Sequence, residues 1–299
     1  IKKEEIESYY PKGCIKVLMG CAPCQPFSTY SLRYTKEGPK DEKWKLLYYF
    51  RNLVKEIRPD IISMENVPQL VKKEVFEDFV KGLEAQGYHI SWQIVNCADY
   101  GVPQSRSRLV LLASKFGDIS LIPPLYTEEN YITVKDAIGS LPQIKDGESC
   151  KTDALHRASK LSKINKKRIK NSVPGGTWKD WDEELRLSCH KKSTGQGYRA
   201  VYGRMEWGKP SPTITTQFYG YGNGRFGHPE QDRALSMREG AILQSFPPDY
   251  KFIDVNHPQT NRQIGVHIGN AVPVKLGEAI GRSILDHLEN YKEVKNVEK

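Results

Sequence analysis

The sequence predicts an α/β fold with a mostly parallel sheet, followed by a second, smaller and loop-rich domain. In the first half, short apolar runs that fit buried strands alternate with segments whose apolar residues recur at helical spacing. After about residue 145, Gly, Ser, Lys and Trp increase, strand signals become short and helical periodicity is weak. Strands that alternate with helices are typical of an α/β domain.

The individual elements follow from these runs. Strands are predicted at 15–20, 61–64, 90–96 and 109–113. A first helix is predicted at 44–57 and ends at Arg58-Pro59, because a residue before proline disfavours the helical conformation. A second helix at 75–86 ends at Gly87. In the second half, helices are predicted only at 233–244 and 274–291.

Composition and length exclude several classes of protein. With 299 residues, of which 38% are hydrophobic and 27% charged, the chain has the composition of a globular protein. It contains no run of 18 apolar residues and no apolar signal core near its start, so we expect no membrane segment and a cytoplasmic location. Six cysteines are too few for a disulfide scaffold of this size, which favours a reducing compartment.

Positive charge points to a polyanionic partner. The formal net charge is +9, and residues 156–170 (HRASKLSKINKKRIK) contain no acidic residue. A solvated helix face usually alternates the sign of its charges, and this segment does not. Within it, Lys166, Lys167 and Arg168 are candidates to contact phosphates. The alternative is a basic protein without a nucleic-acid partner.

The segment GCAPCQPFS at 20–28 contains a C-x-x-C formed by Cys21 and Cys24. Such a pair is compatible with a redox couple, with half of a zinc site, or with one working cysteine beside an inert one. Zinc requires two further ligands at suitable spacing, but the other four cysteines are scattered singly and no histidine pair has ligand spacing. We therefore predict no metal site.

Charged side chains lie next to two predicted strands. Glu65 directly follows the strand at 61–64, at the carboxyl edge where open α/β sheets bind ligands, although a helix cap or a solvated loop residue is the alternative. Arg106 and Arg108 precede the strand at 109–113. Alternate residues of a strand share one face, so the two arginines are predicted to point the same way and to hold an anion or orient a carboxylate.

Five segments together resemble the ordered motifs of the DNA cytosine-5 methyltransferases, in particular the bacterial restriction-modification type. They are PCQPFS at 23–28, ENV at 65–67, QSRSR at 104–108, RALSMREGAILQSFP at 233–247 and IGNAVP at 268–273. The resemblance implies a Rossmann-like, S-adenosylmethionine-dependent methyltransferase domain formed by residues 1–145 and 264–299. It also implies a smaller target-recognition domain at 146–263.

The resemblance also implies a mechanism. Cys24 would add to C6 of a cytosine flipped out of duplex DNA, and Glu65 would contact N3 and the exocyclic amine of that base. Arg106 would help to hold Glu65 and the base, with Arg108 beside it. The methyl donor would be S-adenosylmethionine. The residues implied to hold it are Pro23, Leu46, Asn270 and Ala271.

Further residues are candidates to contact DNA, each with a purely structural role as the alternative. Gln25, Ser28 and Gln104 belong to the motif segments around the implied active site. In the implied recognition domain, polar and basic side chains suited to reading base edges are Arg199, Arg204, Thr213, Thr215, Thr216, Gln217 and Arg225. We expect a monomer that acts on double-stranded DNA, with a cognate restriction endonuclease as a candidate partner.

The sequence departs from the family at its start. The family's pattern opens with a strand and a Gly-rich turn, and nothing in residues 1–20 fits that pattern. We expect that the chain lacks its N-terminal part. Alternatives are a second polypeptide that supplies this part, or a catalytically incomplete DNA-binding relative. An RNA cytosine-5 methyltransferase and a thiol oxidoreductase are further rivals.

A glycine motif elsewhere imitates the missing cofactor turn. Residues 222–227 (GNGRFG) match G-x-G-x-x-G, but the fingerprint binds a cofactor only where a helix begins inside it. His228-Pro229-Glu230 follows instead, so a loop of the recognition domain is predicted here.

Overall fold

The computed structural model describes residues 3–21, 46–252 and 259–297. These residues pack as two compact units. The sheet unit comprises 1–96, 107–124 and 277–299, and the loop-rich unit comprises 97–106 and 125–276. The loop-rich unit therefore extends beyond the predicted 146–263, since it also takes in 97–106, 125–145 and 264–276.

The sheet unit is built on four strands. They are β1 (Val17–Gly20), β2 (Ile61–Asn66), β3 (His89–Asn96) and β4 (Ser107–Ser114), in the spatial order β1-β2-β4-β3. Only β1 and β2 pair in parallel, whereas β4 is antiparallel to both of its neighbours. The prediction of a mostly parallel sheet is therefore wrong for the described strands. No crossover helix separates β3 from β4, and a parallel connection needs one.

Two helices cover this sheet and form its core. They are α2 (Leu46–Ile57) and α3 (Glu74–Glu84), preceded by the short α1 (Lys3–Glu7). Phe50 of α2 stacks on Phe79 of α3 with the ring centroids 5.8 Å apart. A Cβ at Gly20 would lie 2.5 Å from the Phe50 ring, so the absence of a side chain at the end of β1 lets α2 pack this closely.

Strand β2 is longer than its apolar run. Every residue from Ile61 to Asn66 is buried, as expected for a strand covered on both faces. The strand continues through Glu65 and Asn66 because both residues pair with β4, opposite Val110 and Leu109. Glu65 therefore lies within the strand rather than after it.

In the part of the loop-rich unit that the structure describes, four short α-helices lie among 3₁₀ turns, other turns and isolated bridges. The helices are α4 (Val134–Ile138), α5 (Lys163–Lys170), α6 (Met237–Leu243) and α7 (Asn261–Asn270). Helix α6 begins four residues later than predicted, because Ser236 caps it and forms a capping box with Glu239. The core of the loop-rich unit consists mainly of apolar side chains from α6, α7 and the segment around Ile214 and Phe218.

The last helix, α8 (Val274–Val297), extends the predicted 274–291 at its C-terminal end. Ile122 donates its backbone N–H to Ser283 of α8, and Ser114 of β4 bonds His287, so this helix is tied to the sheet unit at two points. Among the residues described here, no helix is both long and apolar enough to cross a membrane.

Candidate functional site

The register of the sheet brings three polar side chains to one face. Gly20 lies opposite Met64 in the parallel pair, so Cys21, the next residue, comes level with Glu65. In the antiparallel pair Glu65 lies opposite Val110, and Arg108 is two residues along on the same face. The strand order therefore places Cys21 and Arg108 on the two sides of Glu65.

Each oxygen of the Glu65 carboxylate has its own donor. Arg108 Nε lies 2.7 Å from Oε1, and both side chains are largely buried, with 14% and 8% of their surfaces exposed for Arg108 and Glu65. Cys21 Sγ donates to Oε2 over 2.9 Å. Arg108 is itself oriented by a 2.7 Å hydrogen bond from Nη1 to the Ser107 carbonyl. The carboxylate is thus held in one orientation at the carboxyl ends of β1 and β2.

Arg106 serves a different part of the molecule. Strand β4 begins at Ser107, so Arg106 precedes the strand and the rule of alternating faces does not apply to it. Its guanidinium donates to the carbonyls of Ile214 (2.9 Å) and Gly269 (3.1 Å) within the loop-rich unit. The contact with the Glu65 carboxylate that the structure shows is made by Arg108, and a role of Arg106 beside Glu65 and the base stays a prediction.

Gln104 is buried with no exposed surface, which overturns its prediction as a DNA contact. Its amide donates to the Leu243 carbonyl (3.1 Å) and to Gln244 Oε1 (2.9 Å), and its oxygen accepts the N–H of Ile214 (2.8 Å). Gln244 in turn donates to the carbonyl of Ile268 (2.7 Å). We call Gln104, Arg106 and Gln244 the amide–guanidinium network. It connects three of the five motif segments in the interior of the loop-rich unit.

Two glycines allow α7 to pack against the segment at 214–217. A Cβ at Gly269 would lie 2.4 Å from the backbone nitrogen of Thr216, and one at Gly265 would lie 2.7 Å from the Thr216 carbonyl. Backbone atoms cannot move aside as a flexible side chain can, so only glycine fits. This contact leaves Asn270 exposed at the end of α7, with Ala271 half-buried as its C-cap.

Arg204, predicted to read bases, is instead a structural residue. It is 5% exposed, and its guanidinium donates to the carbonyls of Ile169, Ser172, His228 and Gln231 and pairs with Asp232. Burial with this many partners leaves it no donor for a base edge, and the prediction is wrong on that physical ground.

Two other predicted arginines are partly committed. Arg168 donates to the Leu185 carbonyl (2.8 Å), and its guanidinium lies over the rings of Trp181 and Tyr202. Arg225 is half-buried and donates to the carbonyl of Gly176 (2.6 Å). Both guanidinium groups hold the loops of this unit together.

The remaining DNA candidates of the loop-rich unit lie at its surface. Lys166 pairs with Asp146 over 2.8 Å. Thr216 is half-buried, and the exposed candidates are Lys166, Lys167, Arg199, Thr213, Thr215 and Gln217.

A basic pocket in the loop-rich unit escaped the sequence predictions. It has a volume of about 400 Å³ and surrounds Trp178 and His190, whose buried rings stack 4.2 Å apart. Burial, with a contribution from the Arg168 charge, lowers the pKa of His190. The rim carries three cations and one carboxylate, which are Lys179, Arg186, Lys191 and Glu183. Acidic residues are interspersed in the sequence here, so no charge run marked the pocket.

Four predicted site residues lie outside the described ranges, namely Pro23, Cys24, Gln25 and Ser28. Leu46 is half-buried at the first position of α2. Within the described ranges, no group of three or more His, Cys, Asp or Glu side chains is arranged to hold a metal ion. The motif at 222–227 contains only the single turn Tyr221–Asn223, and no helix begins inside it.

Comparison with solved structures defines the fold class. An Escherichia coli prophage-encoded protein assigned as a DNA modification methyltransferase matches with a TM-score of 0.69 at 22% identity, over 97% of this chain and 84% of that one. A methyltransferase from Entamoeba histolytica, EhMeth, matches with a TM-score of 0.56 at 18% identity, over 96% and 81%. The chain therefore has a methyltransferase fold, as predicted.

Sequence relatives define the family. Residues 1–286 match the family model of the C-5 cytosine-specific DNA methylases. The Type II methylase M.HgiDII of Herpetosiphon aurantiacus is 53% identical over 98% of this chain and 82% of its own length. The Type II methyltransferase M1.HphI of Haemophilus parahaemolyticus is 34% identical over 91% and 68%. The chain belongs to the C-5 cytosine-specific DNA methylase family, which confirms the resemblance found in its motifs.

Proposed function

We propose that this protein methylates C5 of a flipped-out cytosine within a specific sequence of double-stranded DNA, with S-adenosylmethionine as the methyl donor. The observation that carries the proposal is the Glu65 carboxylate, bonded by Arg108 on one oxygen and by Cys21 on the other. This arrangement lies at the sheet edge where α/β folds bind ligands. Cys24, in the motif PCQPFS, comes three residues after Cys21.

The methylation needs two groups: a nucleophile that attacks C6 of the base, and an acid–base group that interacts with its ring nitrogen. Carbon C5 of cytosine is a weak nucleophile until a thiolate adds to C6, and Cys24 is proposed to supply that thiolate. Negative charge then develops on the ring at N3. Glu65 is proposed to hydrogen-bond or protonate N3 and to accept from the exocyclic amine. The electron pair on C5 takes up the methyl group, whose bond to the sulfonium sulfur breaks and leaves its electrons on that sulfur. H5 then leaves as a proton to a solvent base, and the electrons of its bond re-form the C5–C6 double bond as Cys24 departs as a thiolate.

Arg108 gives this proposal its electrostatic basis. A guanidinium at 2.7 Å fixes the plane of the carboxylate and compensates its charge at a site with little access to water. Glu65 therefore needs no reorganisation when the base enters. A buried carboxylate without this partner would be both misoriented and costly.

The residues proposed to bind the cofactor have side chains of the chemical types that S-adenosylmethionine needs. When bound, S-adenosylmethionine supplies an electrophilic methyl group on a sulfonium. Leu46 offers an apolar surface suited to an adenine ring, and the exposed Asn270 offers an amide for polar atoms. Pro23 and Ala271 are proposed to complete the site.

The loop-rich unit is proposed to recognise the DNA target. Exposed Thr215 and Gln217 have side chains that can read base edges, and Lys167 together with the basic pocket suits phosphates. The net charge of +9 supports the same substrate. Because the relatives named above are Type II methylases, we propose a restriction-modification setting with a cognate endonuclease and a monomeric enzyme.

The test is to map methylated cytosines by bisulfite sequencing in DNA from cells that express the intact gene. We expect one short sequence to be methylated at C5 and the signal to vanish with Cys24→Ser. Cys14→Ala, at a half-buried cysteine of the same unit, is the matched control and should retain methylation. Unmethylated DNA from cells with wild-type protein, or full methylation with Cys24→Ser, would overturn the proposal.

A further inference from the structure

We infer that Cys21 is a positioning residue that holds the second oxygen of Glu65 ready for the base. Its thiol donates to Oε2 over 2.9 Å while Arg108 occupies Oε1. The inference rests on the proposed function, because it assigns Cys21 a role in the work of Glu65. It also gives the first cysteine of the C-x-x-C a role of its own.

The backbone makes this contact a built feature of the sheet. Gly20 is in register with Met64, so the residue after β1 must come level with Glu65. A Cβ at Gly20 would lie 2.5 Å from the Phe50 ring, so only glycine fits at the end of the strand with α2 packed in this position. The thiol is thus delivered to Oε2 by strand pairing and does not depend on a long flexible side chain.

The chemistry of a thiol suits this position. The S–H group is a weak donor, whereas the amine of a base is a stronger one. Arg108 uses one acceptor site of Oε1, so Oε1 can still face N3, and Oε2 is the oxygen that would accept from the exocyclic amine. Cys21 can therefore keep Oε2 oriented in the free enzyme and release it when the N–H of the entering base takes over the bond. A strong donor at this position would compete with the base.

A packing role does not account for the residue. Cys21 is exposed, so its side chain contributes little buried apolar surface. Removing the thiol should leave the stability of the fold unchanged and alter only the catalytic step. That separation between stability and turnover makes the inference testable.

The experiment compares Cys21→Ala, Cys21→Ser and the control Cys14→Ala in the full-length gene product, with reductant present throughout. Steady-state methylation of the mapped DNA gives kcat and KM, and thermal unfolding is followed in parallel. For Cys21→Ala we expect kcat to fall about 3- to 10-fold, since one hydrogen bond to a charged group is lost from a weak donor. The KM for S-adenosylmethionine and the unfolding midpoint should not change.

Serine discriminates among the roles of Cys21. Its hydroxyl keeps a donor at Oε2, so Cys21→Ser should restore kcat to within about 1.5-fold of wild type and raise the KM for DNA, because the stronger donor competes with the base. Wild-type kcat in Cys21→Ala, or equal losses in the alanine and serine variants, would overturn the inference. Absence of methylation by the wild-type protein would instead overturn the proposed function itself.

Discussion

Arg106 and Arg108 belong to one five-residue motif and serve different regions of the molecule. Arg108 lies in β4 and bonds the Glu65 carboxylate. Arg106, two residues earlier, donates to two backbone carbonyls of the loop-rich unit. The difference arises at Ser107, where β4 begins. From this residue on, strand pairing sets the direction of each side chain, whereas the residues before it belong to the loop-rich unit.

The comparison teaches how the two regions use positive charge. In the loop-rich unit, the buried guanidinium groups satisfy carbonyls that no regular ladder pairs, as Arg204 does, or a buried carboxylate, as Arg233 does with Glu239 over 2.6 Å. In the sheet unit the ladder satisfies the backbone. Arg108 is then available to bond the Glu65 carboxylate.

Replacement of Arg108 should have the largest effect, which is a loss of methylation activity. Arg108→Ala should lower kcat by about 10³-fold, or about 4 kcal/mol, because Glu65 loses both its orientation and its compensating charge. The unfolding midpoint should also fall, because the buried Glu65 carboxylate loses its partner, so kcat is compared at a temperature where the variant is folded. Methylation kinetics and thermal unfolding measure the two quantities. Arg108→Lys is the conservative control and should recover only part of kcat, since it cannot keep the Nε contact. Wild-type kcat in Arg108→Ala would remove the distinction.

On the structural side, Arg106→Ala should lower the free energy of unfolding of the loop-rich unit by about 3 kcal/mol, because the Ile214 and Gly269 carbonyls lose this donor in the interior. Hydrogen exchange at the amides of α7 would report the loss locally. At a temperature where the variant is folded, its kcat should exceed that of Arg108→Ala by at least about tenfold. Unchanged exchange with a kcat as low as that of Arg108→Ala would place both arginines in catalysis.

Acid should weaken the loop-rich unit first. Burial lowers the pKa of His228 from 6.5 to about 4, with Glu239 opposing and Arg233 and Arg204 assisting the shift. His228 Nδ1 accepts the N–H groups of Glu230 and Gln231, so protonation would break both bonds.

Below about pH 6.5 the unfolded state binds a proton on His228, whereas the folded state stays unprotonated there until the pH approaches 4. The stabilising contribution of neutral His228 is therefore lost as the pH falls from about 6.5 toward 4. The loss reaches at most about 3 kcal/mol. Urea unfolding between pH 7 and pH 4.5 measures it, and His228→Gln should flatten the dependence. An equally steep dependence in that variant would exclude His228 as its source.

The smallest expected effect concerns phosphate contacts of the basic pocket. Replacing Lys179 and Lys191 by Gln should weaken binding to all DNA sequences alike and reduce the slope of log K against log salt by about 1 for each lysine. Binding titrations at several salt concentrations measure the slope. Lys55→Gln, at an exposed position of α2, is the control. A change in the methylated sequence rather than in the salt slope would contradict a phosphate role.

The sheet unit was largely predictable from sequence. Apolar runs identified the four strands and the two covering helices found among the described residues, and the motif pattern identified the family. The direction of β3 and β4 was not predictable by alternation. The short link between them contains only the 3₁₀ turn Cys97–Tyr100 and no crossover α-helix, so the two strands pair antiparallel.

In the loop-rich unit, residue type alone did not predict which side chains are available to contact DNA. Arg204 and Gln104 have the chemistry of DNA readers, yet their donors serve buried carbonyls and amides. Sequence shows which side chains can form hydrogen bonds. The tertiary structure decides whether those bonds are made to buried backbone groups or are left for a ligand. The same limit hid Cys21, whose contact with Glu65 depends on strand register rather than on any local pattern.

The central claim is that Cys24 attacks the base that Glu65 holds, and a trapping experiment tests it most directly. Duplex DNA with 5-fluorocytosine at the mapped position cannot lose its C5 substituent as a proton, so the covalent complex should accumulate when S-adenosylmethionine is present. Mass spectrometry of the digested complex is predicted to find the DNA adduct on Cys24, and to find none with Cys24→Ser or Glu65→Ala. An adduct on Cys21, or undiminished trapping by Cys24→Ser, would contradict the account.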